Sequence, residues 1–334
     1  MRGDENNAAS GRTRKSTTRT KRSIERKFLQ KVFNKKNTRD IFIRRLNSSS
    51  LECQMSKKSD LKVFISVDME GISGIVDWSM VGDDPVEYAI GRSLMVGDVN
   101  AAIEGILEVS EAKILVSDAH GAERCIHPEE LHEAAIHVRG SPKPITQMTG
   151  ISRDFDAALF LGYHAKKGTK HGTMDHTIYP NIIDSITING LEVGETGINA
   201  AIAGYYGVPL IFLAGDLAVT KEAQGIIPNI TTIAVKEAVG RYAAMCIHPK
   251  KSREMIREGV KEALKKRELV KPFTFKSPIE ARVKYVSTEM ADAVEFMRTV
   301  ERIDGRTIKF VFDDYIKAFR AVRSSIWIAS AVSG

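Results

Sequence analysis

The sequence of 334 residues has few cysteines and no long apolar run. Cys53, Cys125 and Cys246 are scattered and odd in number, which excludes a disulfide-stapled fold and a zinc ribbon. They favour a reducing compartment, so we expect a cytoplasmic location. No apolar run reaches the roughly 18 residues that span a bilayer. With 43% hydrophobic and 27% charged residues, the composition is that of a globular chain with a core, and a fully disordered or collagen-like chain is excluded.

The formal net charge of +7 is unevenly distributed. Residues 1–60 carry 17 Lys+Arg against 6 Asp+Glu, whereas the rest of the chain carries 32 against 36. The body of the protein is therefore mildly acidic. A nucleic-acid partner would depend on the basic segment alone, and we expect none for the body.

Three interpretations of residues 1–60 remain open. The mixture of Ser, Thr and Asn with Lys and Arg is typical of a disordered or weakly helical extension. The same composition resembles a transit peptide, although Asp4 and Glu5 weaken that interpretation. The third is a wrongly assigned start, with the natural product beginning near Met55, just before folded patterning starts at Lys62.

From residue 61 onwards, apolar strand patterns alternate with helical patterns. Short β-branched or apolar runs predict buried strands at 63–67, 113–116, 157–161 and 209–213, and helical spacing predicts helices over 93–109, 128–135 and 196–206. A strand over 182–188 meets Asn189-Gly190, which is a hairpin signal. This alternation predicts an α/β fold with a mostly parallel, doubly wound sheet.

A change of composition after Ala238 suggests a second lobe. The pattern there predicts an amphipathic helix over 250–266, then strand, helix, strand and helix at 281–285, 289–296, 307–312 and 315–327. We therefore expect a metal-binding α/β domain over 61–245 and a smaller α+β C-terminal lobe over 246–334.

Side chains that can bind a metal follow three of the predicted strands. Asp68 and Glu70 come after the first strand, His120 after the second and His164 after the third. Parallel strands place their carboxyl ends at one edge of the sheet, where open α/β folds bind ligands. Glu195 opens the helix after the hairpin and can join them. Mixed nitrogen and oxygen ligands suit one or two Zn²⁺ ions, with Mn²⁺ or Co²⁺ as alternatives.

Other candidates leave alternatives open. His176, twelve residues after His164 on a predicted loop, is a ligand, a general base or nucleophile, or a hydrogen-bonded loop residue. Asp216 ends another strand and either lines the same edge or caps the next helix. His171 is expected to be solvated. His132 does not start a zincin motif, because Ile136 stands where the second histidine is needed.

Common nucleotide and acyl-transfer motifs do not occur in the sequence. There is no G-x-x-x-x-G-K-[ST] phosphate loop, no G-x-S-x-G nucleophile elbow, and no G-x-G-x-x-G after the first strand.

Six separated motifs over residues 61–330 resemble the zinc D-aminopeptidase (DppA-type) family. They are Val-Phe-Ile-Ser-Val-Asp68-Met-Glu70-Gly-Ile-Ser-Gly, Ser-Asp-Ala-His120-Gly, Arg139-Gly-Ser-Pro-Lys-Pro144, Leu-Gly-Tyr-His164-Ala, Asp175-His176-Thr and Asn189-Gly-Leu-Glu-Val-Gly-Glu195-Thr-Gly-Ile-Asn-Ala200. The resemblance implies a dizinc aminopeptidase that acts on short peptides with an N-terminal D-residue such as D-Ala. It also implies a ring-like homodecamer.

The resemblance further implies a role for each matching residue. Asp68 would bridge two zinc ions, Glu70 and His120 would complete one site, and His164 and Glu195 the other. His176 would be the catalytic base or nucleophile, and Glu192 is a nearby rival for Glu195. The competing functions are a metal-dependent amidase or phosphoesterase, and a protein that binds a small ligand through a metal without turnover.

Overall fold

The computed structural model describes residues 61–82 and 84–333, so the predictions for residues 1–60 lie outside the described residues. The strands of this part are β1 (Leu61–Val67), β2 (Ala112–Asp118), β3 (Ala135–Val138), β4 (Ala157–Tyr163), β5 (Ile183–Ile188), β6 (Leu191–Glu192), β7 (Leu210–Asp216), β8 (Thr231–Gly240), β9 (Ala243–Cys246), β10 (Ile279–Tyr285), β11 (Glu301–Arg302) and β12 (Thr307–Phe312). The α-helices are α1 (Pro85–Leu107), α2 (Glu195–Tyr205), α3 (Leu217–Ile226), α4 (Pro249–Lys266), α5 (Thr288–Glu295) and α6 (Tyr315–Ser330). Short 3₁₀ helices cover Trp78–Val81, Thr146–Met148 and Arg267–Leu269.

The larger sheet has seven strands in the order β3-β2-β1-β4-β7-β8-β9. All neighbours pair in parallel except β8 and β9, which are antiparallel. This confirms the predicted α/β class with a mostly parallel sheet. The chain extends the sheet from β1 first towards β3 and then, from β4, in the other direction. The direction of winding therefore reverses between β1 and β4, and the carboxyl ends of strands at such a point form the usual ligand crevice.

The centre of this sheet is the core of the protein. Strands β4 and β7 are buried at every residue, and Phe64, Phe160 and Phe212 are fully buried. Burying a side chain of this size contributes roughly 1.5–3 kcal/mol. Helix α4 packs against α1, β7 and β8, while α2 packs against β4 and β7. The strands whose ends carry the candidate ligands are therefore held by the best-packed part of the molecule.

The smaller sheet has five antiparallel strands in the order β11-β12-β10-β5-β6. Its β5–β6 hairpin turns at Asn189 and Gly190, whose φ angles are 48° and 82°, as the tight hairpin turn predicted there requires. Helices α5 and α6 pack against β10 and β12. This sheet thus combines residues 183–192 with the C-terminal segment, and the division of the chain at residues 245 and 246 stays a prediction.

Two local predictions are wrong. Helix α1 begins at Pro85, eight residues before the predicted start, because the Asp84 side chain accepts hydrogen bonds from the N–H groups of Val86 and Glu87 and caps it. Residues 128–135 form turns that lead into β3 instead of a helix. There the Asn100 side chain donates a hydrogen bond to the carbonyl of residue 130 and accepts one from the N–H of residue 132. These backbone groups would otherwise be available for bonds within a helix.

Candidate active site

The five predicted metal ligands lie together at the carboxyl ends of β1, β2 and β4 and at the start of α2. Asp68, Glu70, His164 and Glu195 are each 3% exposed or less, and the His120 side chain is 12% exposed. The convergence follows from the parallel strand order, because β1 lies between β2 and β4. His176, on the loop before β5, joins the same cluster.

Two glycines allow the loop that follows β1 to contact the end of strand β4. The Gly71 N–H donates to the Gly162 carbonyl over 2.7 Å. A Cβ atom at Gly71 would lie 1.8 Å from the Tyr163 carbonyl oxygen, and one at Gly162, where φ is +65°, would lie 2.1 Å from the Asp68 carbonyl oxygen. Only glycine fits this approach, which brings the Asp68–Glu70 segment beside His164.

All three histidines bond a backbone carbonyl with one ring nitrogen and leave the other for the cluster. His120 Nε2 lies 2.9 Å from the Val81 carbonyl oxygen, His164 Nδ1 3.1 Å from that of Ala165, and His176 Nδ1 2.8 Å from that of Met174. Since a carbonyl only accepts, each of these nitrogens carries the hydrogen. When such a ring is neutral, its second nitrogen presents a lone pair to the carboxylates, as metal-binding histidines do.

The distances between these nitrogens and the carboxylates suit shared cations. His120 Nδ1 lies 3.1 Å from Asp68 Oδ1 and 3.0 Å from Glu70 Oε2. His164 Nε2 lies 3.4 Å from Glu195 Oε1 and 4.0 Å from Asp68 Oδ2. Two ligand atoms that each lie about 2.0–2.2 Å from the same ion are separated from each other by distances similar to these nitrogen–oxygen distances. The two oxygens of Asp68 face His120 and His164, and those of Glu70 face His120 and His176.

His164 Nε2 tests most directly whether these residues fit a cation. The atom is buried and has no hydrogen-bond partner among the described residues. It belongs to a group of Asp68, Glu70 and His164 whose ligand atoms lie within 4.8 Å of one another, and His164, His176 and Glu195 form a second such group. A buried imidazole nitrogen that faces carboxylates, one of them 3.4 Å away, is unfavourable unless it carries a proton or a metal cation lies between them. The residues present therefore fit a bound metal.

The pKa values of the carboxyl groups reflect their crowding. Burial, together with the charge of Glu70, raises the pKa of Asp68 to about 8. Burial also acts to raise the pKa of Glu70, but the charge and hydrogen bond of His120, together with the charges of His176 and His164, outweigh it and hold the pKa well below its usual range. Glu195 is likewise buried, yet His164 lowers its pKa to about 2. Three buried carboxyl groups in contact are costly without compensating positive charge.

His164 and His176 form a stacked pair whose pKa values are shifted in opposite directions. Their ring centroids are 3.9 Å apart and nearly parallel at 7°. Burial lowers the pKa of His164, but Glu195, Glu70 and Asp68 together outweigh burial and raise it to about 10. Burial and the charge of His164 lower the pKa of His176 to about 4. His176 is therefore the imidazole of the pair that stays neutral, with an unprotonated Nε2.

A partly buried amide network that the sequence does not predict holds two of the carboxylates. Gln147 Nε2 donates to Asp68 Oδ2 over 3.3 Å and also to Glu195 Oε2. Its Oε1 accepts from Asn199 Nδ2 over 2.6 Å, and Asn199 also donates to the Tyr163 hydroxyl over 2.9 Å. Asn199 lies one helical turn after Glu195, and this i, i+4 spacing was a usable signal. Nothing in the pattern around Gln147 indicated its role.

Two buried lysines support the loops that carry the ligands. Lys236 Nζ donates to the backbone carbonyls of Glu70, Ile72 and Ile75, and burial lowers its pKa to about 8. Lys143 Nζ donates to the Asp118 carbonyl over 2.6 Å, two residues before His120. Lys143 lies in the Arg139–Pro144 motif, which therefore supports the His120 loop from outside the cluster.

The remaining sequence candidates lie elsewhere. Glu192, the rival of Glu195, is exposed and pairs with Lys166 Nζ at 2.9 Å. His171 is exposed, as expected. Asp216 is the N-cap of α3: it accepts hydrogen bonds from the N–H groups of Val219 and Thr173, so its helix-cap interpretation is the one that the structure supports.

The cluster opens into a cavity of about 520 Å³, which lies in the size range of small-molecule sites. Asp68, Glu70, His120, His176 and Glu195 form one part of its lining. Another part comes from Trp78, Ile178 and Tyr179 and from Phe319, Arg323 and Trp327 of α6. The Trp78 ring meets His176 edge-on, with centroids 5.2 Å apart. The cavity thus lies between the ligand-bearing edge of the larger sheet and helix α6, which packs on the smaller sheet.

Comparison with known proteins gives the family of the chain. A family model described as Peptidase_M55, D-aminopeptidase, matches residues 61–324. The chain belongs to the D-aminopeptidase family of peptidases. Members of this family are hydrolases that act as aminopeptidases, so the chain is an enzyme of this type.

Two relatives extend the match over nearly their whole lengths. A D-aminopeptidase of Bacillus subtilis (strain 168) is 35% identical over 263 residues, which is 78% of this chain and 95% of the relative. A solved structure, described as the Zn-dependent D-aminopeptidase DppA from Bacillus subtilis, a self-compartmentalizing protease, is 34% identical with a TM-score of 0.80. The match covers 82% of this D-aminopeptidase-family chain and 100% of that one.

Among the described residues of this family member, no helix combines the length and apolar character needed to cross a membrane.

Proposed function

We propose that the protein is a dizinc aminopeptidase that removes an N-terminal D-residue, such as D-Ala, from short peptides. The observation that carries this proposal is the buried, unpartnered Nε2 atom of His164 among three carboxylates. Zinc is further supported by the solved relative, which is described as Zn-dependent.

In the proposed assignment Asp68 would be shared by two ions, because its two oxygens face His120 and His164, the histidines assigned to different ions. Glu70 and His120 would complete one site, and His164 and Glu195 the other. Three protein ligands for each ion would leave a position open, which is the usual catalytic arrangement. Bound zinc supplies a Lewis acid for the scissile carbonyl and a more acidic water at neutral pH.

His176 is the proposed proton carrier. Its Nδ1–H is occupied by the Met174 carbonyl, so Nε2 is the basic atom, 3.9 Å from Glu70 Oε1 and Glu195 Oε1. In hydrolysis, water adds to the amide carbon and the C–N bond breaks. Nε2 takes a proton from the water and delivers it to the leaving nitrogen, which departs as an amine. The products are a free D-amino acid and the shortened peptide.

We also propose a homo-oligomer, a decamer by family resemblance, and a cytoplasmic location. The description of the solved relative as self-compartmentalizing supports assembly. Light scattering coupled to size-exclusion chromatography measures the number of subunits directly. A monomer at working concentrations would contradict this part of the proposal.

The test of activity is hydrolysis of paired D- and L-alanine p-nitroanilides with metal analysis of the same sample. We expect release from the D-substrate, loss of activity on dialysis against a chelator, and recovery with Zn²⁺ at about two ions per chain. Preference for the L-substrate would refute the stereochemical assignment. Hydrolysis of phosphate monoesters but not of either anilide would favour a phosphoesterase, and metal binding without any turnover a binding protein.

A further inference from the structure

Arg323 is a cationic side chain in the cavity that takes no part in the proposed metal binding or proton transfer. It lies on α6, far in sequence from the candidate ligands. Among the described residues that line the cavity, it is the one Lys or Arg side chain. The same lining contains Asp68, Glu70, Glu123 and Glu195, so the cavity is otherwise acidic.

The guanidinium is held by the side chains of Tyr179 and Trp327, and the charges of Glu195 and Glu123 act on it without forming a direct ion pair. Its Cζ lies 5.8 Å from the centroid of the Tyr179 ring and 5.4 Å from that of Trp327. Its Nε is buried without a hydrogen-bond partner. Within residues 61–82 and 84–333, no carboxylate oxygen lies within 4.0 Å of its nitrogens, although other arginines of α4 and the C-terminal segment form such pairs. Contacts with ring faces hold the plane of a guanidinium and leave its N–H edge for a ligand.

An unpaired, partly buried arginine is costly unless a ligand satisfies it. A carboxylate is the ligand whose geometry matches the guanidinium, because two parallel N–H···O bonds form at once. A short peptide carries such a group at its C-terminus. An extended peptide of two or three residues is roughly 7–11 Å long at about 3.3–3.6 Å per residue, a length that a cavity of about 520 Å³ accommodates.

We propose that Arg323 binds the free C-terminal carboxylate of the peptide substrate and thereby selects very short peptides. This inference rests on the proposed function, which places the N-terminal residue at the metal cluster. The substrate then spans the cavity from the cluster to α6, with its positive end near the carboxylates and its negative end at the arginine. A longer peptide or an amidated one lacks a carboxylate at that distance.

The test compares D-Ala-D-Ala with its C-terminal amide, with D-Ala-D-Glu amide, and with D-alanine p-nitroanilide, in the wild type and in Arg323→Gln. We expect the wild type to prefer D-Ala-D-Ala over its amide. In Arg323→Gln the ratio of kcat/KM for acid over amide should fall by about 10-fold or more, the effect of losing a hydrogen bond to a charged group, and the change should appear in KM. Arg323→Lys should keep part of the preference, because it retains charge but not the planar fork.

Arg320→Gln is the matched control, since Arg320 lies on the same helix, is exposed and does not line the cavity. Equal losses of kcat/KM on the acid and the amide in Arg323→Gln would overturn the proposal. Preference for D-Ala-D-Glu amide over D-Ala-D-Ala would assign the arginine to a side-chain carboxylate instead and also overturn it.

A binding measurement separates this proposal from the proposed function. Thermal shift records whether D-Ala-D-Ala raises Tm more than its amide does, and whether Arg323→Gln removes the difference. If the wild type hydrolyses no D-aminoacyl substrate, the proposed function fails, and the thermal shift decides the role of Arg323 alone. An equal shift with acid and amide in the wild type refutes carboxylate binding.

Discussion

Replacing His176 by alanine distinguishes a proton carrier from a metal ligand. The side chain is 5% exposed and makes three contacts that the substitution removes: the hydrogen bond to Met174 and the ring contacts with His164 and Trp78. The hydrogen bond contributes about 0.5–1.5 kcal/mol, and each ring contact contributes about 0.5–1.5 kcal/mol. The free energy of unfolding should therefore fall by about 1.5–4.5 kcal/mol, which a domain stable by roughly 5–15 kcal/mol tolerates.

The catalytic effect should be larger than the structural one. Without Nε2, neither the attacking water nor the leaving amine has a positioned proton partner, and kcat should drop at least about 100-fold, the low end for a lost general acid–base. Zinc content should stay at the wild-type value, because none of the five proposed ligands changes. Steady-state kinetics on D-alanine p-nitroanilide, zinc analysis by mass spectrometry and thermal unfolding measure these three quantities on one sample.

The competing interpretation has support in the geometry, since His176, His164 and Glu195 also lie within ligand distance of one another. If the His176→Ala variant loses zinc in step with activity, His176 is a ligand, and the assignment of Glu195 must be redrawn. His171→Ala is the matched control, because His171 lies on the same segment but is exposed; it should change neither zinc content nor kcat.

Three further predictions test the metal cluster and its surroundings. His120→Ala and His164→Ala should each lower zinc content and activity together, because each removes one of three ligands; metal analysis with kinetics measures this. Gln147→Met should weaken zinc binding about 10–100-fold, the usual cost of removing a partner of a ligand, as measured by competition with a chelator. Asp98→Asn should flatten the pH dependence of stability. Burial raises the pKa of Asp98 to about 7, so its contribution is present below about pH 4 and is lost as the pH rises through 7, by up to about 4 kcal/mol; denaturant unfolding across pH measures the slope.

Each of these predictions has an outcome that contradicts it. Full zinc occupancy in both histidine variants would exclude the ligand assignment. Wild-type zinc affinity in Gln147→Met would mean that the amide merely fills space. For Asp98→Asn, an unchanged slope between pH 4 and 7 would place the titrating group elsewhere, and Asp313→Asn, an exposed carboxylate on the loop before α6, serves as the control.

The parts of the site predicted from sequence are those that depend on strand ends. Asp68, His120 and His164 each follow a short buried strand, and parallel pairing brings such ends together regardless of the intervening chain. Glu195 was preferred to Glu192 through the family resemblance, and the structure places the first in the cluster and the second on the surface.

The parts that could not be predicted depend on contacts between distant segments. Gln147 lies in a 3₁₀ turn with no periodic pattern, and its role arises from where that turn packs. Which nitrogen of a histidine ring faces the cluster depends on a hydrogen bond from the other nitrogen to a backbone carbonyl, such as that of Val81. The position of such a carbonyl cannot be predicted from residue spacing. The pattern does not predict strand β8, because only three of its ten residues are buried and its apolar residues do not alternate strictly. Arg323 carries no motif of its own.

Helix α6 gives the cavity a lining that can be changed without touching the metal cluster. Every proposed ligand lies between residues 68 and 195, and the hydrogen-bond partners Gln147 and Asn199 end before residue 200, whereas α6 covers Tyr315–Ser330. Trp327 is exposed enough, at 44%, to accept other side chains. A library randomised at Trp327 and selected on different peptides would therefore evolve substrate range while leaving the catalytic chemistry constant.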